Sequence, residues 1–549
     1  MKKTKALILL FLHLPIFYFA QFNQGNFTGN VETIFQYLNK DTVIGATQPP
    51  EKSLINTYMN VFYTHKNFKA GLRVESYLPR IQGYPDRFQG TGLGMRYVGY
   101  ANDFLDLTLG NFYEQFGSGM VFRAYEDRAL GYDNVMDGFR IILRPSKALT
   151  LKAVYGNQRL SFTGGQVIKA EGIVRGLDGE LNINQLFPKF NESAFQFKIG
   201  TSFVSKFQKD NDPNLILPQN VASYGGRFSM RYKNFLLDGE YIQKENDPSN
   251  DNGYIYNKGH AALFNLSYTK KGLGIILSAK SVDNMSFRSD RSKDLQDVFI
   301  NFLPAMNKTH TYNLVATLYP YTTQPLGEVS FQAEALYTIK KGTLLGGKYG
   351  VPINVNFSTA YKPMQHTLPF DSSLVTYKGR VFDLSDSLLW QDFNINITKK
   401  FNKKWTIIAS YFAIRLNNDV TKVTNFAKGI INANISVLEL NYRFNSVHSV
   451  RAELQSLLTK KDNGDWFTAV LEYNVSPHWF VSVMDQYNYG NPVSSKQLHY
   501  IVGTFGYIRD ASRIMFSYGR QRAGLFCVGG ICRFVPASNG LTVSFTHSF

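Results

Sequence analysis

Apolar and polar residues alternate with a period of two along most of the chain. Between residues 27 and 37, Phe27 and Phe35 belong to an apolar set at odd positions, whereas Glu32 belongs to a polar set at even positions. The same alternation is present as far along the chain as residues 512–522. Successive side chains of a β-strand point to opposite faces, so this period predicts strands from end to end. A water-soluble β-sandwich and a membrane-spanning barrel both fit this pattern.

The connections between the predicted strands distinguish these two classes. Short turns flanked by aromatic residues, such as Tyr232-Lys-Asn-Phe235, alternate with long polar segments. The long segments are residues 38–52, 79–91, 112–136, 158–172, 205–221, 245–256 and 284–309. Transmembrane barrels have short turns at one end, long loops at the other and aromatic girdles at the membrane boundaries. We therefore expect an all-β protein, a single large antiparallel transmembrane β-barrel with short periplasmic turns and long extracellular loops.

The alternation of short and long connections also gives an approximate strand count. It requires two strands between residues 340 and 390, which we place at 351–361 and near 374–382, and a separate strand at 391–398. The total is about 26 strands, an even number as expected for bacterial barrels.

The two ends of the chain carry export and assembly features. Residues 1–20, MKKTKALILLFLHLPIFYFA, place three lysines before a short apolar run, which predicts a secretory signal peptide and leaves residues 21–549 as the barrel domain. The chain ends in the alternating segment LTVSFTHSF, with Phe545 and Phe549 on one face. A terminal aromatic residue on such a strand resembles the signal for outer-membrane barrel assembly, although an ordinary edge strand has the same pattern.

Charged residues on the strands lie mainly at the polar positions of the alternation, opposite the apolar face. If the apolar set faces lipid, they line the lumen. The candidate lumen-wall residues are Arg73, Glu75, Arg140, Arg227, Arg231, Asp238, Glu240, Arg451 and Glu453. Because both signs are mixed, the wall fits either structural ion pairs or a polar lining around water better than a ring of one sign.

The loop at residues 112–136 is unusually aromatic and charged. Its Gly-Ser-Gly lacks the Gly-x-Ser-x-Gly spacing of a nucleophile elbow, and neither a lysine nor a helix follows to cradle phosphate, so we assign no catalytic residue. A barrel this wide cannot be filled by wall side chains. The loop is therefore expected to fold inward as a constriction or plug, with an ordered extracellular cap as the alternative. The residues expected to define it are Gly117, Gly119, Arg123, Tyr125, Glu126, Asp127 and Arg128.

Two cysteines, Cys527 and Cys532, enclose Val-Gly-Gly-Ile in the last long loop. In an exported protein this spacing predicts a disulfide across a tight hairpin, with free thiols as the alternative. The histidines are scattered, so we expect no metal site and no cofactor.

The charge of the chain adds little to this interpretation. Its formal net charge is +18, which in a cytosolic protein would raise the possibility of nucleic acid binding. Export makes anionic outer-membrane lipid and lipopolysaccharide the expected partners and makes nucleic acid an unsuitable one.

Two stretches, FYEQFGSGMVFRAYEDRALGYDNVMDG and GRQRAGLFCVGGICRFVPASNG, resemble a family of large outer-membrane β-barrels of unknown function from Bacteroidota. The resemblance covers essentially the whole mature chain. It implies a barrel in the outer membrane of a Gram-negative bacterium, and it implies no activity.

The functional hypothesis from the sequence is a non-enzymatic conduit or gated pore with an inward-folded loop at 112–136. The alternative is an accessory or scaffold subunit of an outer-membrane assembly or secretion complex. The barrel assembly machinery is an expected partner in either case, and other outer-membrane or periplasmic proteins are further candidates.

Overall fold

The chain folds into one closed antiparallel barrel. The computed structural model describes residues 25–190, 192–295, 297–372, 375–421, 429–528 and 531–549. Within these ranges 24 strands form a single sheet whose first and last strands pair with each other. The expected all-β barrel architecture is confirmed, with 24 strands where about 26 were expected.

The strands of the barrel are numbered β1 to β24 in chain order. They are β1 Asn26–Asn39, β2 Ser53–His65, β3 Phe68–Tyr77, β4 Gly90–Ala101, β5 Leu105–Phe112, β6 Met136–Leu143, β7 Leu149–Thr163, β8 Gln166–Asn182, β9 Phe195–Phe207, β10 Asn220–Tyr232, β11 Phe235–Lys244, β12 Gly259–Lys270, β13 Leu273–Asp283, β14 Gly327–Ile339, β15 Val351–Ser372, β16 Val375–Lys400, β17 Trp405–Asn417, β18 Ile430–Arg443, β19 His448–Leu458, β20 Trp466–Val475, β21 Trp479–Tyr487, β22 His499–Arg509, β23 Ser512–Gln521 and β24 Ser538–Ser548.

The connections contain short additional elements. Strand pairs form at Glu114–Phe116 with Phe122–Ala124, Glu126–Asp127 with Tyr132–Asp133, and Gly524–Val528 with Ile531–Val535. The α-helices are Ile183–Leu186, Asn313–Thr317 and Asn418–Thr421, and the 3₁₀ helices are Pro188–Phe190, Asn250–Asn252 and Ser494–Lys496. No helix in the described ranges is long and apolar enough to cross a membrane.

Two segments differ from the sequence expectation. Residues 374–382 and 391–398 were expected as separate strands, but from Val375 onward they belong to the single long strand β16. Residues 158–172, expected as a long loop, lie mostly in β7 and β8, which meet at a two-residue turn. Long strands that extend beyond the barrel rim have turn-like polar residues within them, and for this reason both segments looked interrupted in sequence.

The seam between β1 and β24 closes the barrel. Ten residue pairs join the two strands, from Asn30 opposite Ser548 to Asn39 opposite Asn539. Beyond the strand, the Phe549 amide donates to the Gly29 carbonyl at 2.9 Å. Phe545 and Phe549, the expected assembly signal, are 37 % and 56 % exposed. Residues 1–24, which contain the expected signal peptide, lie outside the described residues.

The exterior of the barrel is apolar. Large side chains such as Leu177, Tyr518 and Leu471 are more than half exposed. Beside the short turns, aromatic rings pair across neighbouring strands, as in Phe235 with Tyr268 at 4.7 Å between ring centroids. Apolar side chains in water would be unfavourable over so large a surface, whereas this arrangement suits a lipid-facing band with an aromatic girdle.

Candidate functional site

The loop between β5 and β6, residues 113–135, folds into the barrel and is called the first loop. Its two flanking strands have only eight residues each, so the loop leaves the wall well below the rim. Its apolar tip, with Phe116, Val121 and Phe122, is fully buried in a cluster with wall residues such as Val204. The tip therefore packs against the inner wall.

The tip of the first loop depends on two glycines. Gly117 and Gly119 have φ angles of +52° and +98°, which other residues adopt only with strain. A Cβ on Gly117 would lie 2.6 Å from Oε1 of Glu240 on β11. The backbone amide between the two glycines, that of Ser118, donates to Glu240 Oε2 at 2.9 Å. The Gly-Ser-Gly sequence thus lets the backbone approach a wall carboxylate.

Residues 123–133 of the first loop form a charged arm that pairs with the wall. Arg73 on β3 donates to both carboxylate oxygens of Glu126, at 2.8 and 3.0 Å. Arg128 donates to Glu32 on β1 at 2.6 Å and to Glu126 at 3.1 Å. These contacts form a run of alternating charges, from wall to arm and back to wall.

A second set of ion pairs continues this run. Arg159 on β7 donates to both oxygens of Glu75, at 3.0 and 2.7 Å, and to Asp133 of the arm at 2.9 Å. Tyr113 also donates to Asp133, at 3.0 Å. Burial raises the pKa of Asp133 to about 6, because desolvation and the nearby Glu126 and Glu75 carboxylates outweigh the attraction of Arg159.

Three further residues expected in the loop have local roles. Asp127 Oδ1 accepts from the Leu130 amide at 3.1 Å and holds the turn of the arm. The ring of Tyr125 lies 4.7 Å from that of Tyr132, and the Arg123 guanidinium lies 4.2 Å from the Tyr125 ring centroid.

The long connection between β13 and β14, described at residues 284–295 and 297–326, also folds inward and is called the second loop. Residues 312–321 form its helical arm, which contains the short helix Asn313–Thr317. Leu314, Val315 and Tyr319 are almost completely buried against apolar wall residues of β15 to β20. Tyr321 stacks on Trp390 of β16, with ring centroids 5.1 Å apart and planes 12° apart.

A buried lysine ties the second loop to the wall beside it. Lys280 on β13 pairs with Glu328 at 2.9 Å, and both side chains are fully buried. Its ammonium also donates to the Pro304 carbonyl at 2.6 Å and to Thr323 at 2.7 Å. A buried charge needs several such partners, so the loop backbone completes the site of this wall lysine.

The two loops contact each other and form one body, here called the plug. The Arg123 amide donates to the Ile300 carbonyl, and the Phe302 amide donates to the Gly119 carbonyl, both at 2.9 Å. The Arg123 guanidinium lies 4.1 Å from the Phe302 ring centroid. Movement of either loop would therefore disturb the other.

Below the tip of the first loop, the lumen contains a polar cavity of about 410 Å³. Its charged lining comes from Glu180, Lys198, Arg227, Asp238 and Glu240. Arg227 donates to both carboxylate oxygens of Asp178, at 2.7 and 3.0 Å. Arg231 and Lys198 also lie at inward-pointing positions of their strands, and both side chains are exposed. This exposure indicates a water-filled lower lumen.

The other predicted wall charges form ion pairs around the bore. Arg140 on β6 contacts Asp106 and lies 3.5 Å from Glu114. Arg451 on β19 contacts Glu453 and lies 3.5 Å from Glu439. These groups brace the wall at two separated places, and both reach the plug. Glu114 belongs to the first loop, and Gln455, which donates to Glu453 at 2.6 Å, accepts from the Leu314 amide of the helical arm at 3.0 Å.

Cys527 and Cys532 face each other across the small hairpin of the last loop, as partners in its strand register. Their side chains lie outside the described part of the structure, so the disulfide remains a prediction. Across the described ranges, no three His, Cys, Asp or Glu side chains are grouped as they would be around a metal ion.

The sequence interpretation missed the second loop as a plug element. Ile431, Ala433, Ile435 and Val437 of β18 face inward beneath the helical arm, although apolar residues were assigned to the lipid face. The signal was present as a change of apolar parity between Val437 and Leu438. The strand pairs without a register shift there, so the change marks a covered inner wall and not a β-bulge.

The family model that matches this chain spans residues 1–549. The chain belongs to DUF6029, a family of unknown function. No curated protein matches this DUF6029 chain.

Solved structures similar to the DUF6029 chain include three membrane proteins at low identity. The siderophore receptor PirA from Pseudomonas aeruginosa is 9 % identical, with 95 % of this chain and 80 % of that chain covered and a TM-score of 0.40. The copper transporter OprC is 9 % identical, with 96 % and 80 % covered and a TM-score of 0.39. The outer membrane protein opdK from Pseudomonas aeruginosa is 10 % identical, with 95 % and 99 % covered and a TM-score of 0.36.

Proposed function

We propose that this protein is a gated conduit in the outer membrane of a Gram-negative bacterium, with the Bacteroidota as the source that the sequence resemblance implies. The observation that carries the proposal is the charged arm. It lies inside the barrel and is joined to the wall through Glu126, Arg128 and Asp133. Ion pairs of this kind fix one docked position and can be exchanged for water when the arm moves.

The surfaces of the barrel support this location. An apolar exterior and aromatic pairs beside the short turns suit a bilayer, and the short turns then lie on the periplasmic side. Export through a cleaved signal peptide at residues 1–20 and insertion by the barrel assembly machinery complete this proposal.

The lower lumen suits polar cargo. Its cavity mixes cations such as Lys198 and Arg227 with anions such as Asp238 and Glu240. Mixed signs do not select strongly for one charge, so the proposal is a passage for polar solutes or exported polymer and not an enzyme.

Conductance in planar bilayers tests the proposal. The double variant Glu126→Ala with Arg128→Ala removes the attachment of the arm to β1 and β3, and we expect its open probability to exceed that of the parent at least tenfold. Deletion of residues 115–128 should increase conductance further. The matched control is Arg509→Ala with Asp510→Ala, which removes an exposed pair of the same two charge signs at the short turn between β22 and β23, away from the plug. Equal, silent traces from all four proteins would contradict a conduit.

The second candidate is a plugged barrel that serves as a scaffold for an assembly or secretion complex. The helical arm favours this candidate, because its apolar contacts with β15 to β20 would keep the bore filled. In that case the arm variants stay silent in bilayers while outer-membrane or periplasmic proteins co-purify with the barrel.

A further inference from the structure

The distal parts of β15 and β16, residues 363–372 and 375–387, lie against the outside of the barrel and are called the outer hairpin. Strand alternation identifies the face that it covers. On β13, Lys280 and Val282 point inward and contact the second loop, so Ser281 and Asp283 point outward. Both outward side chains are nevertheless buried, at 1 % and 3 % exposure.

Hydrogen bonds show what buries these side chains. The Tyr377 hydroxyl donates to Asp283 Oδ1 at 3.0 Å, and the Phe382 amide donates to Ser281 Oγ at 3.0 Å. A Cβ on Gly379 would lie 2.2 Å from Asp283 Oδ2, so the hairpin backbone approaches the wall closely. The outer hairpin thus satisfies polar groups that lipid could not.

The contact extends to the depth of the membrane. The Phe382 ring lies 6.1 Å from that of Phe264 on β12 and 6.3 Å from that of Phe331 on β14. These two phenylalanines share one exterior row with Ala279 of β13. They stand six and eight residues from the short-turn ends of their strands. At about 3.3 Å per residue along strands tilted by about 40°, they lie about 15 to 20 Å above the short turns, within an apolar band about 25 Å tall.

The side chains of the hairpin are divided between two faces. Tyr377 and Gly379 face the barrel, so Lys378 and Arg380 point away from it, and both are exposed. His366, directly opposite Lys378, shares this outer face and pairs with Asp383 at 2.6 Å, so the positive charge of the site rests on Lys378 and Arg380. Apolar side chains accompany the cations, as Met364 and Leu368 are 41 % and 36 % exposed.

We propose that the outer hairpin is a docking site for a phosphorylated glycolipid of the outer leaflet, of the lipid A type. Exposed cations beside exposed apolar side chains, at the height of the upper membrane boundary, complement a ligand with phosphate groups above acyl chains. The proposal rests on the outer-membrane location and not on conduction, so failure of the pore experiment leaves it standing.

Native mass spectrometry of the detergent-solubilised protein tests the site with bisphosphorylated lipid A as the probe. The variant Lys378→Ser with Arg380→Ser should bind lipid A about thirtyfold more weakly than the parent, since each of the two basic residues near an anionic surface strengthens binding roughly fivefold. The control Lys270→Ser with Lys271→Ser removes two exposed lysines from the opposite end and should bind like the parent. Heat-modifiable migration on gels confirms that each barrel is folded.

Binding measurements with two further lipids identify the chemistry of the ligand. Dephosphorylated lipid A should bind the parent as weakly as lipid A binds the hairpin variant, because the phosphates supply the contacts. Equal lipid A binding by parent and hairpin variant would overturn the site. Phosphatidylglycerol binding as tightly as lipid A would overturn the assignment to a glycolipid and indicate a general anionic lipid site instead.

Discussion

The charged arm and the helical arm of the plug are held to the barrel by different physical means. The charged arm depends on ion pairs to Arg73, Glu32 and Arg159, whereas the helical arm depends on burial of side chains such as Leu314 and Tyr319. Buried ion pairs add little net free energy compared with apolar packing, but they are costly to break on one side only. Apolar burial contributes net stability without a strict geometry.

This difference suggests an order of events in opening. The charged arm can exchange its partners for water, so it should leave the wall first. The helical arm covers apolar wall residues on β15 to β20, and its release would expose them to water. The comparison therefore predicts a mobile side and a fixed side of one plug.

The largest expected effect is that of Glu126→Ala. This change leaves Arg73 and Arg128 without their shared carboxylate in a mostly buried site, which should weaken docking of the charged arm by roughly 3 to 5 kcal/mol. Hydrogen exchange of amides in residues 123–133, measured in nanodiscs, should rise steeply while that of residues 312–321 changes little. Glu180→Ala, which removes a half-exposed partner of Arg227, is the control. Equal deprotection of both arms would refute the separation.

Leu314→Ala should have the reciprocal effect on the helical arm. Truncation of a fully buried leucine costs roughly 2 to 5 kcal/mol, and we expect about 2 to 3 because a five-residue helix can resettle over the cavity. Exchange should increase in residues 312–321 first. Greater exchange in the charged arm than in the helical arm would mean that the helix does not hold its own side of the plug.

The pH should act on the charged arm through Asp133. The docked pKa of Asp133, about 6, lies above the ordinary aspartate value of 3.8, so docking is favoured at low pH and this contribution is lost as pH rises through 6. Between pH 5 and 7.5 the charged arm should open about tenfold more often, as shown by exchange or by open probability. Asp133→Asn should flatten this dependence. An unchanged slope in that variant would assign the titration to another group.

The charged arm and the helical arm also differ in how far the sequence predicts them. The charged arm could be predicted because Arg123, Glu126 and Arg128 are costly to leave unpaired inside a bore. Strand alternation identifies which charged residues of the wall point into that bore and can pair with them. Strand alternation and turn length were sufficient for the barrel, since both are local properties.

The helical arm and the outer hairpin could not be located in this way. Their sites are created by contacts between residues distant in sequence, such as Leu314 with β19 or Phe382 with β12 and β14. An apolar residue on a barrel strand has the same signature whether lipid, a plug or a folded-back hairpin covers it. In the sequence, such a covered surface is visible only as a switch of the apolar residues from odd to even positions, or as a break in the alternation.

The smallest effect concerns the link between the two arms. Arg123 lies against both Tyr125 and Phe302, so Arg123→Ala should remove about 0.5 to 1 kcal/mol of coupling without detaching either arm. A double-mutant cycle of Glu126→Ala and Leu314→Ala, read by exchange in both arms, measures that coupling in the parent and again in the Arg123→Ala background. Loss of the coupling would show that the fixed side restrains the mobile side through this guanidinium. A cycle that is additive already in the parent would mean that the two arms undock independently, and the plug would then be two separate gates in one barrel.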